Sequence, residues 1–400
     1  MRLLLLLPFP PDPAGSHGAA RMTGQLLDSL GCDHEVAAIY LRAPEEPPID
    51  RALAERLALA VEVERPSLAG RSARRTVRRA LGVLAGRPTW ATDWAVPAFA
   101  DRVRDVVRSW SPDVVQAELH VMGQYLTGLA APTVLVEHDP GAAAAAGLAA
   151  WERGPRRLGR RADAHAWRRY ERRVLSGADA VVAFTETDRE TLAALARGAR
   201  FVRISPGIAV PERPSDPIGT QPPTVLFLGS FVHPPNVEAA TRLARAIMPA
   251  VRVRIPDAVL EVVGDAPPAE VRDLAGDGVL ITGRVADTRP YLDRAAVVAA
   301  PLRLGGGMRV KVLEALAAGK AVVATPRALA GLEVVPGTHA LTGETDAELS
   351  EAIAELLEDG ERRRRIGTAA REWATERLTW ERAAAAYTDL YRSLPAERAR

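Results

Sequence analysis

Cysteine is almost missing from this chain. Cys32 is the only one in 400 residues, which excludes an intramolecular disulfide and any cysteine-cluster metal site. Long hydrophobic runs are missing as well: nothing approaches the ~18 consecutive apolar residues that a membrane-spanning helix needs. The opening Met1-Arg2-Leu3-Leu4-Leu5-Leu6-Leu7-Pro8 imitates a secretory leader. Its apolar run is too short, however, a proline follows at once, and no small-residue cleavage site comes after it. It reads instead as an edge-to-core first strand. Neither sign of charge dominates, since 52 Lys+Arg against 50 Asp+Glu leave a net +2, too little for wholesale nucleic-acid binding. Lysine is scarce, with only Lys311 and Lys320, so the basic character rests on arginine. No His/Asp/Glu set has convincing metal spacing and no Asp-x-Asp loop motif occurs, so no metal and no resident cofactor are expected. No Gly-x-Gly-x-x-Gly follows the first strand of either half, which disfavours a dinucleotide-dependent oxidoreductase. A reducing cytoplasm fits these absences.

What is present is ordinary globular material, 48% hydrophobic and 26% charged, long enough for about two to three domains. Continuous apolar runs at 2–9, 34–41, 113–119, 133–138, 179–185 and 200–205 alternate with helical patterns such as 19–30, 98–110 and 188–196. That rhythm predicts a parallel sheet covered on both faces. The interval 44–95 breaks it and reads as helices carrying a basic cluster at 71–79. Prolines and glycines then crowd 206–223, the composition of an interdomain linker. Strands are predicted again at 224–229, 258–264, 278–283, 296–301 and 321–325, with helices at 237–250, 269–274, 288–293, 308–318 and 347–358. The expected fold class is α/β, with two doubly wound Rossmann-like domains. Their bounds are 1–210, a linker at 211–223, and 224–375, with a terminal helix at 376–400 returning to the first domain. Trp380, Tyr387 and Tyr391 share one face of that helix, a stripe that reads as packing.

One stretch organises the second half: Pro301-Leu302-Arg303-Leu304-Gly305-Gly306-Gly307-Met308-Arg309-Val310-Lys311-Val312-Leu313-Glu314. Three glycines after a buried strand let bare N–H groups approach a ligand, and a helix N-terminus favours anions. Arg309 and Lys311 are expected in the first turn, where the macrodipole disfavours cations unless an anion is bound. Glu314 is expected about two turns in, roughly 10 Å along the axis, a distance suited to reaching from a diphosphate to its ribose. The bland alternative is a tight turn with solvated charges and an exposed Lys311–Glu314 pair.

Several motifs then fall in one order: Leu226-Phe227-Leu228-Gly229-Ser230, Pro235-Asn236, Val262-Val263-Gly264, Thr282-Gly283-Arg284-Val285, the glycine-rich stretch, and Gly319-Lys320-Ala321-Val322-Val323-Ala324-Thr325. Together they resemble the donor domain of family 4 (group 1) glycosyltransferases, in the variant form Gly-Gly-Gly-x-Arg-x-Lys-x-x-Glu. The resemblance covers about 224–335 and implies the GT-B architecture. It implies transfer of a sugar from a nucleotide-diphosphate sugar to a glycan, lipid-linked or small-molecule acceptor, usually with retention and without a metal. It also implies donor contacts from Gly229, Ser230, Asn236, Gly283, Arg284, Gly305, Gly306, Gly307, Arg309, Lys311 and Glu314. Gly306 stands where the family usually has a first glutamate, and the family's basic pair after the first donor-domain strand is absent. Arg309 and Lys311 are therefore expected to supply the charge at the diphosphate.

In the first half, Gly15, Ser16, His17 and Gly18 follow the opening strand, where relatives place a loop facing the diphosphate and acceptor. His138 ends a strand at the sheet's carboxyl edge, where a histidine of relatives contacts the donor sugar. With Arg309 and Lys311 it forms the expected catalytic set. Glu137 and Asp139 point the other way in a strand, and His120 and His165 read as structural or exposed. Arginines at 71–79 and from 156 to 173 are either solvated helix faces or a peripheral membrane contact. A nucleotide-sugar epimerase of the same fold and a catalytically silent binding module remain open beside the transferase.

Overall fold

The computed structural model of the chain describes residues 1–13, 18–68, 70, 72–216, 218, 221–304 and 309–395. They form two compact units, one of Met1–Gly207 joined by the helix that starts at Trp380, the other running from Ile208 to Thr379.

The first unit is built on a seven-stranded sheet in the order β3-β2-β1-β4-β5-β6-β7, parallel throughout. Its strands are β1 (Arg2–Leu7), β2 (Glu35–Arg42), β3 (Leu59–Glu64), β4 (Val114–Glu118), β5 (Thr133–Glu137), β6 (Ala180–Ala183) and β7 (Phe201–Arg203). The leucine run of β1 is not at the edge of the sheet. It lies between β2 and β4 with Leu3 to Leu7 fully buried, the burial an unbroken apolar strand requires when helices cover both faces. The edge belongs to β3, which the sequence pattern hides, because Leu-Ala-Val-Glu-Val-Glu alternates with one side in solvent.

Four helices of this unit matter below: α1 (Gly18–Leu30), α2 (Ala73–Leu84), α3 (Gly141–Trp151) and α4 (Arg156–Gly177). Phe99, Val103, Trp167, Tyr170 and Val174 pack with the strand side chains into one core.

The second unit repeats the plan in six strands, ordered β10-β9-β8-β11-β12-β13. They are β8 (Thr224–Leu228), β9 (Val259–Val263), β10 (Val279–Gly283), β11 (Val297–Ala300), β12 (Val322–Ala324) and β13 (Leu341–Thr342), again all parallel. β13 has two residues, too short to leave a sequence pattern. Helix α5 (Pro234–Arg242) runs through a π-turn at Leu243–Ile247 into Met248–Arg254, and α6 (Val310–Ala317) follows the glycine-rich stretch. The helical region after 359 is two helices, α7 (Gly360–Arg377) and α8 (Trp380–Arg392), interrupted at Leu378 and Thr379.

α8 belongs to the first unit and lies against α1. Trp380 Nε1 donates to Gln25 Oε1 at 2.9 Å, and Ser29 Oγ donates to the Trp380 carbonyl at 3.2 Å. Tyr387 and Tyr391 are buried, so the aromatic stripe does pack.

Candidate active site

In each sheet the strand order reverses at one point, between β1 and β4 in the first and between β8 and β11 in the second. Parallel sheets bind ligands beyond the carboxyl ends of the strands at such points. Of the expected site residues of the second unit, Gly229 and Ser230 follow β8 beside that point, and Gly283 and Arg284 lie at the end of the edge strand β10. Gly229 follows β8 and its N–H donates to the Val263 carbonyl at 2.9 Å. A Cβ on Gly264 would lie 1.5 Å from the Gly229 oxygen, so only glycine lets the two chain ends come this close. Gly283 closes β10 at φ +72°, left-handed backbone that suits glycine, and Gly264 N–H donates to its carbonyl at 3.1 Å. Arg284 follows, exposed. Asn236 Nδ2 donates to the Ser230 carbonyl at 2.8 Å, so this side chain holds the turn after β8.

The loop leaving β11 is fastened from two sides before it reaches the glycines. Arg242 Nη1 donates to the Pro301 carbonyl at 2.9 Å and Thr325 Oγ1 donates to the Leu302 carbonyl at 2.6 Å. Arg242 is itself buried, paired with Asp346, and donates through Nη2 to the Glu344 carbonyl at 3.0 Å. Arg303 adds contacts to Asp346 at 3.3 Å and Glu238 at 3.5 Å. Gly305, Gly306 and Gly307 lie outside the described residues.

Beyond them the helix begins later than the sequence suggests. Arg309 occupies the N-cap with φ −86° and ψ 71°, so only Lys311 of the two cations stands in the first turn. Glu314 is four residues beyond Val310, about 6 Å along the axis instead of about 10 Å. Arg309, Lys311 and Glu314 are all half-buried.

In the first unit, Gly15, Ser16 and His17 lie outside the described residues, and Gly18 is the first residue of α1. The chain entering that loop is held by Gln25 Nε2, which donates to the Pro13 carbonyl at 3.1 Å. His138 directly follows β5, next to Phe184, whose ring centroid is 4.9 Å away. Its Nε2 lies 2.8 Å from Glu118 Oε2, a buried carboxylate at the end of β4. Glu118 Oε1 accepts from Gln116 Nε2 at 2.6 Å, and Gln116 Oε1 accepts from Tyr391 Oη of α8 at 2.7 Å. Sequence reasoning missed Glu118 and Gln116. The available signal was two polar residues inside the otherwise apolar Val114-Val115-Gln116-Ala117-Glu118, since buried charge needs a partner.

Glu137 turns away from His138, as strand alternation requires, and joins a second buried group. His120 Nδ1 lies 3.1 Å from Glu137 Oε2, while the two oxygens of Glu171 accept from Gly141 N–H at 2.7 Å and Ala142 N–H at 3.1 Å. Ligand-capable atoms of His120, Glu137 and Glu171 lie within 4.8 Å of one another. No sequence spacing could show this grouping, because the three residues come from a 3-10 turn, a strand end and α4. Burial works against charge on His120, but the bond to Glu137 and the charges of Glu137, Asp139 and Glu171 outweigh it and raise it to about 9. Burial and the Glu137 charge push Glu171 up to about 8, against the pull of His120 and the two amide bonds. Trp90 and Trp167 close over the imidazole at 5.0 and 4.7 Å. With Glu171 committed to the first amides of α3 and His120 to Glu137, the cluster is a buried acid–imidazole joint that seats the segment after His138.

Solved structures share this two-unit fold. Sucrose-phosphate synthase from Thermosynechococcus elongatus superposes with a TM-score of 0.73 at 18% identity, covering 98% of each chain. WaaG, a glycosyltransferase involved in lipopolysaccharide biosynthesis, gives 0.68 at 16%, covering 98% of this chain and 100% of its own. HepE from Anabaena, in complex with UDP and glucose, gives 0.64 at 16%, covering 98% and 99%. The fold is GT-B.

Family models divide the chain in the same way. Residues 17–210 match Glycosyltransferase Family 4, and residues 222–359 match Glycosyl transferases group 1. The chain thus carries a family 4 glycosyltransferase domain followed by a group 1 glycosyltransferase domain. Among characterised relatives, a GDP-mannose-dependent alpha-(1-6)-phosphatidylinositol monomannoside mannosyltransferase of Mycobacterium tuberculosis is 30% identical over 254 residues, 57% of this chain. The protein of the same name in Mycolicibacterium smegmatis is 27% identical over 247 residues, 55% of this chain. The chain spans 65% and 63% of the lengths of these two relatives.

Proposed function

We propose that this chain transfers a hexose from a nucleoside-diphosphate sugar to a lipid-borne acceptor, with donor binding in the second unit and acceptor binding in the first. The observation that carries the reading is the gathering of Gly229, Ser230, Gly283 and Arg284 beyond the carboxyl ends of β8 and β10, in a domain that matches group 1 glycosyltransferases. The loop leaving β11, a strand at the switch point, is fastened at Pro301 and Leu302, and Arg309 and Lys311 come next in the described chain. In this reading those two cations neutralise the diphosphate as it leaves. Glu314 accepts from the ribose hydroxyls, and His138 binds the transferred sugar. The anomeric carbon–oxygen bond to the diphosphate breaks, a bond to the acceptor hydroxyl forms, and the hydroxyl proton passes to the departing phosphate. No metal is required, and retention of configuration follows from attack on the leaving group's own face. The relatives' names favour mannose and guanosine in the donor.

A lipid-borne acceptor is supported by α2. This helix buries none of its residues and exposes Val77, Leu81 and Leu84 along one face, with Arg74 and Arg78 exposed beside them. Only part of the arginine cluster is so available. Arg79 is bound to the buried Asp93, which the exposed Arg78 also meets at 3.6 Å, and Arg75 donates to the Leu68 carbonyl. α4 lies against α2 and adds exposed Arg156, Arg157, Arg160 and Arg161 around Leu158. An apolar stripe ringed by arginines suits an anionic bilayer surface. Among the described residues no helix is long and apolar enough to cross a membrane, so the contact proposed is peripheral, at a cytoplasmic face.

Product analysis with GDP-mannose tests the reading. A mannosylated lipid is expected only when a phosphatidylinositol mannoside acceptor is supplied. Formation of an epimeric nucleotide sugar from donor alone would favour an epimerase instead.

A further inference from the structure

The polarity of the buried chain that ends on His138 can be read atom by atom. A carboxylate only accepts hydrogen bonds, so the contact between Glu118 Oε2 and His138 Nε2 at 2.8 Å places a proton on Nε2. The other oxygen accepts from Gln116 Nε2 at 2.6 Å, which turns the Gln116 carbonyl toward the phenol of Tyr391, its donor at 2.7 Å. The three inner members are buried, Gln116 and Glu118 at 1% exposure and Tyr391 at 2%, so water does not compete for these bonds. His138 Nδ1 makes no hydrogen bond among the described residues.

We propose that Glu118 is a positioning residue that locks neutral His138 as its Nε2–H tautomer, leaving the Nδ1 lone pair to accept from a ligand hydroxyl, with Gln116 and Tyr391 fixing the direction of the whole chain. That His138 meets the donor sugar rests on the proposed function; that Glu118 sets its tautomer does not. The chain's direction makes a specific demand on Glu118→Gln. The Gln116 amide still faces position 118 with its NH2 group, so the new amide must turn its carbonyl to Gln116 and its own NH2 to His138. Nε2 then has to accept, and the proton moves to Nδ1. Exchanging both residues reverses this. In Q116E/E118Q the carboxylate sits beside Tyr391 and accepts from the new amide at position 118, whose carbonyl again faces Nε2–H. Charge, size and composition are the same as in the wild type.

The test uses full-length protein labelled with ¹⁵N-histidine, with the His138 ring signals identified by their loss in His138→Gln. Long-range proton–nitrogen correlations are recorded at a pH where the ring is neutral. Nε2–H is expected in wild type, Nδ1–H in E118Q and Nε2–H again in Q116E/E118Q. An unchanged tautomer in E118Q, or a double variant that remains Nδ1–H, overturns the proposal. Should E118Q fold poorly by circular dichroism, wild type and the charge-conserving Q116E/E118Q carry the test, and Nδ1–H in either overturns the lock. Where E118Q folds, freeing the Gln116 amide to turn must return Y391F/E118Q toward Nε2–H, and failure to do so counts equally against it. GDP-mannose turnover separates the two layers of inference. Loss of one oriented hydrogen bond at the reacting sugar predicts a fall in kcat on the order of 10²-fold for E118Q with KM little changed, and recovery in the double variant. A tautomer that switches while kcat stays constant removes His138 from the reaction and leaves its positioning by Glu118 standing.

Discussion

Arg242 Nη1 donates to the carbonyl of Pro301 at 2.9 Å, joining the end of α5 to the first residue of the glycine-rich stretch across 59 positions of sequence. The guanidinium is buried and also meets Asp346 and the Glu344 carbonyl, so its removal takes a donor from three acceptors, of which Asp346 keeps Arg303 at 3.3 Å. Arg242→Ala is expected to lower stability by about 2–4 kcal/mol, the range for stripping a buried charge from its hydrogen-bonded acceptors. Urea denaturation checks this. Arg242→Lys should recover only part of the loss, because one ammonium cannot replace a planar fork reaching three directions.

Lys311→Ala is expected to separate binding from folding. Lys311 is half-buried in the first turn of α6, and in the proposed function its ammonium meets a phosphate oxygen. Removing one charge-assisted hydrogen bond of about 1.5–3 kcal/mol weakens GDP or UDP binding by roughly 10- to 100-fold. Calorimetric titration should show this with the thermal midpoint of the unliganded protein nearly unchanged. Loss of fold without a separable binding defect would assign Lys311 a structural role instead.

Most strands of both sheets were legible as continuous apolar runs, and so was the doubling of the fold. What escaped depended on distant partners. β3 shows alternation because it is an edge, and α6 starts at Val310 because Arg309 takes the cap, which sets Glu314 one turn from the helix start. The Glu118 pair with His138 needs two neighbouring strands in register, Glu118 opposite Val136. Lys320 is the clearest case. It stands between α6 and β12 and is fully buried, donating to the carbonyls of Asp216, 104 residues away, and Asp293.

That burial carries a pH signature. Loss of hydration lowers Lys320 from 10.5 to about 8, outweighing the nearby charges of Asp216 and Asp293. Between those two values the unfolded chain holds a proton that the folded chain has released, so stability from this group rises with pH. Below about pH 8 both states are protonated and the burial penalty is constant. The difference in unfolding free energy between wild type and Lys320→Met should therefore move in favour of wild type from about pH 8 to 10.5 and stay flat from about pH 6 to 7. Denaturant titrations at matched ionic strength measure it.

The α2 surface predicts salt-sensitive vesicle binding. Arg74→Glu with Arg78→Glu removes two cations beside Val77, Leu81 and Leu84. At about 1 kcal/mol for each basic residue near an anionic surface, affinity for phosphatidylglycerol vesicles should fall at least ~30-fold. Leu81→Asp should weaken binding with little effect on stability, because Leu81 is exposed. Co-sedimentation reads both.

The central claim is a nucleoside-diphosphate site on the second unit. A thermal-shift panel of GDP, UDP and ADP tests it most directly. A ligand present at about a hundred times its Kd stabilises by about 2.7 kcal/mol, enough to raise the midpoint by roughly 5 °C or more. At least one of the three, with GDP expected first, should do so. If all three leave the midpoint where it stands without ligand, the donor site proposed here is contradicted.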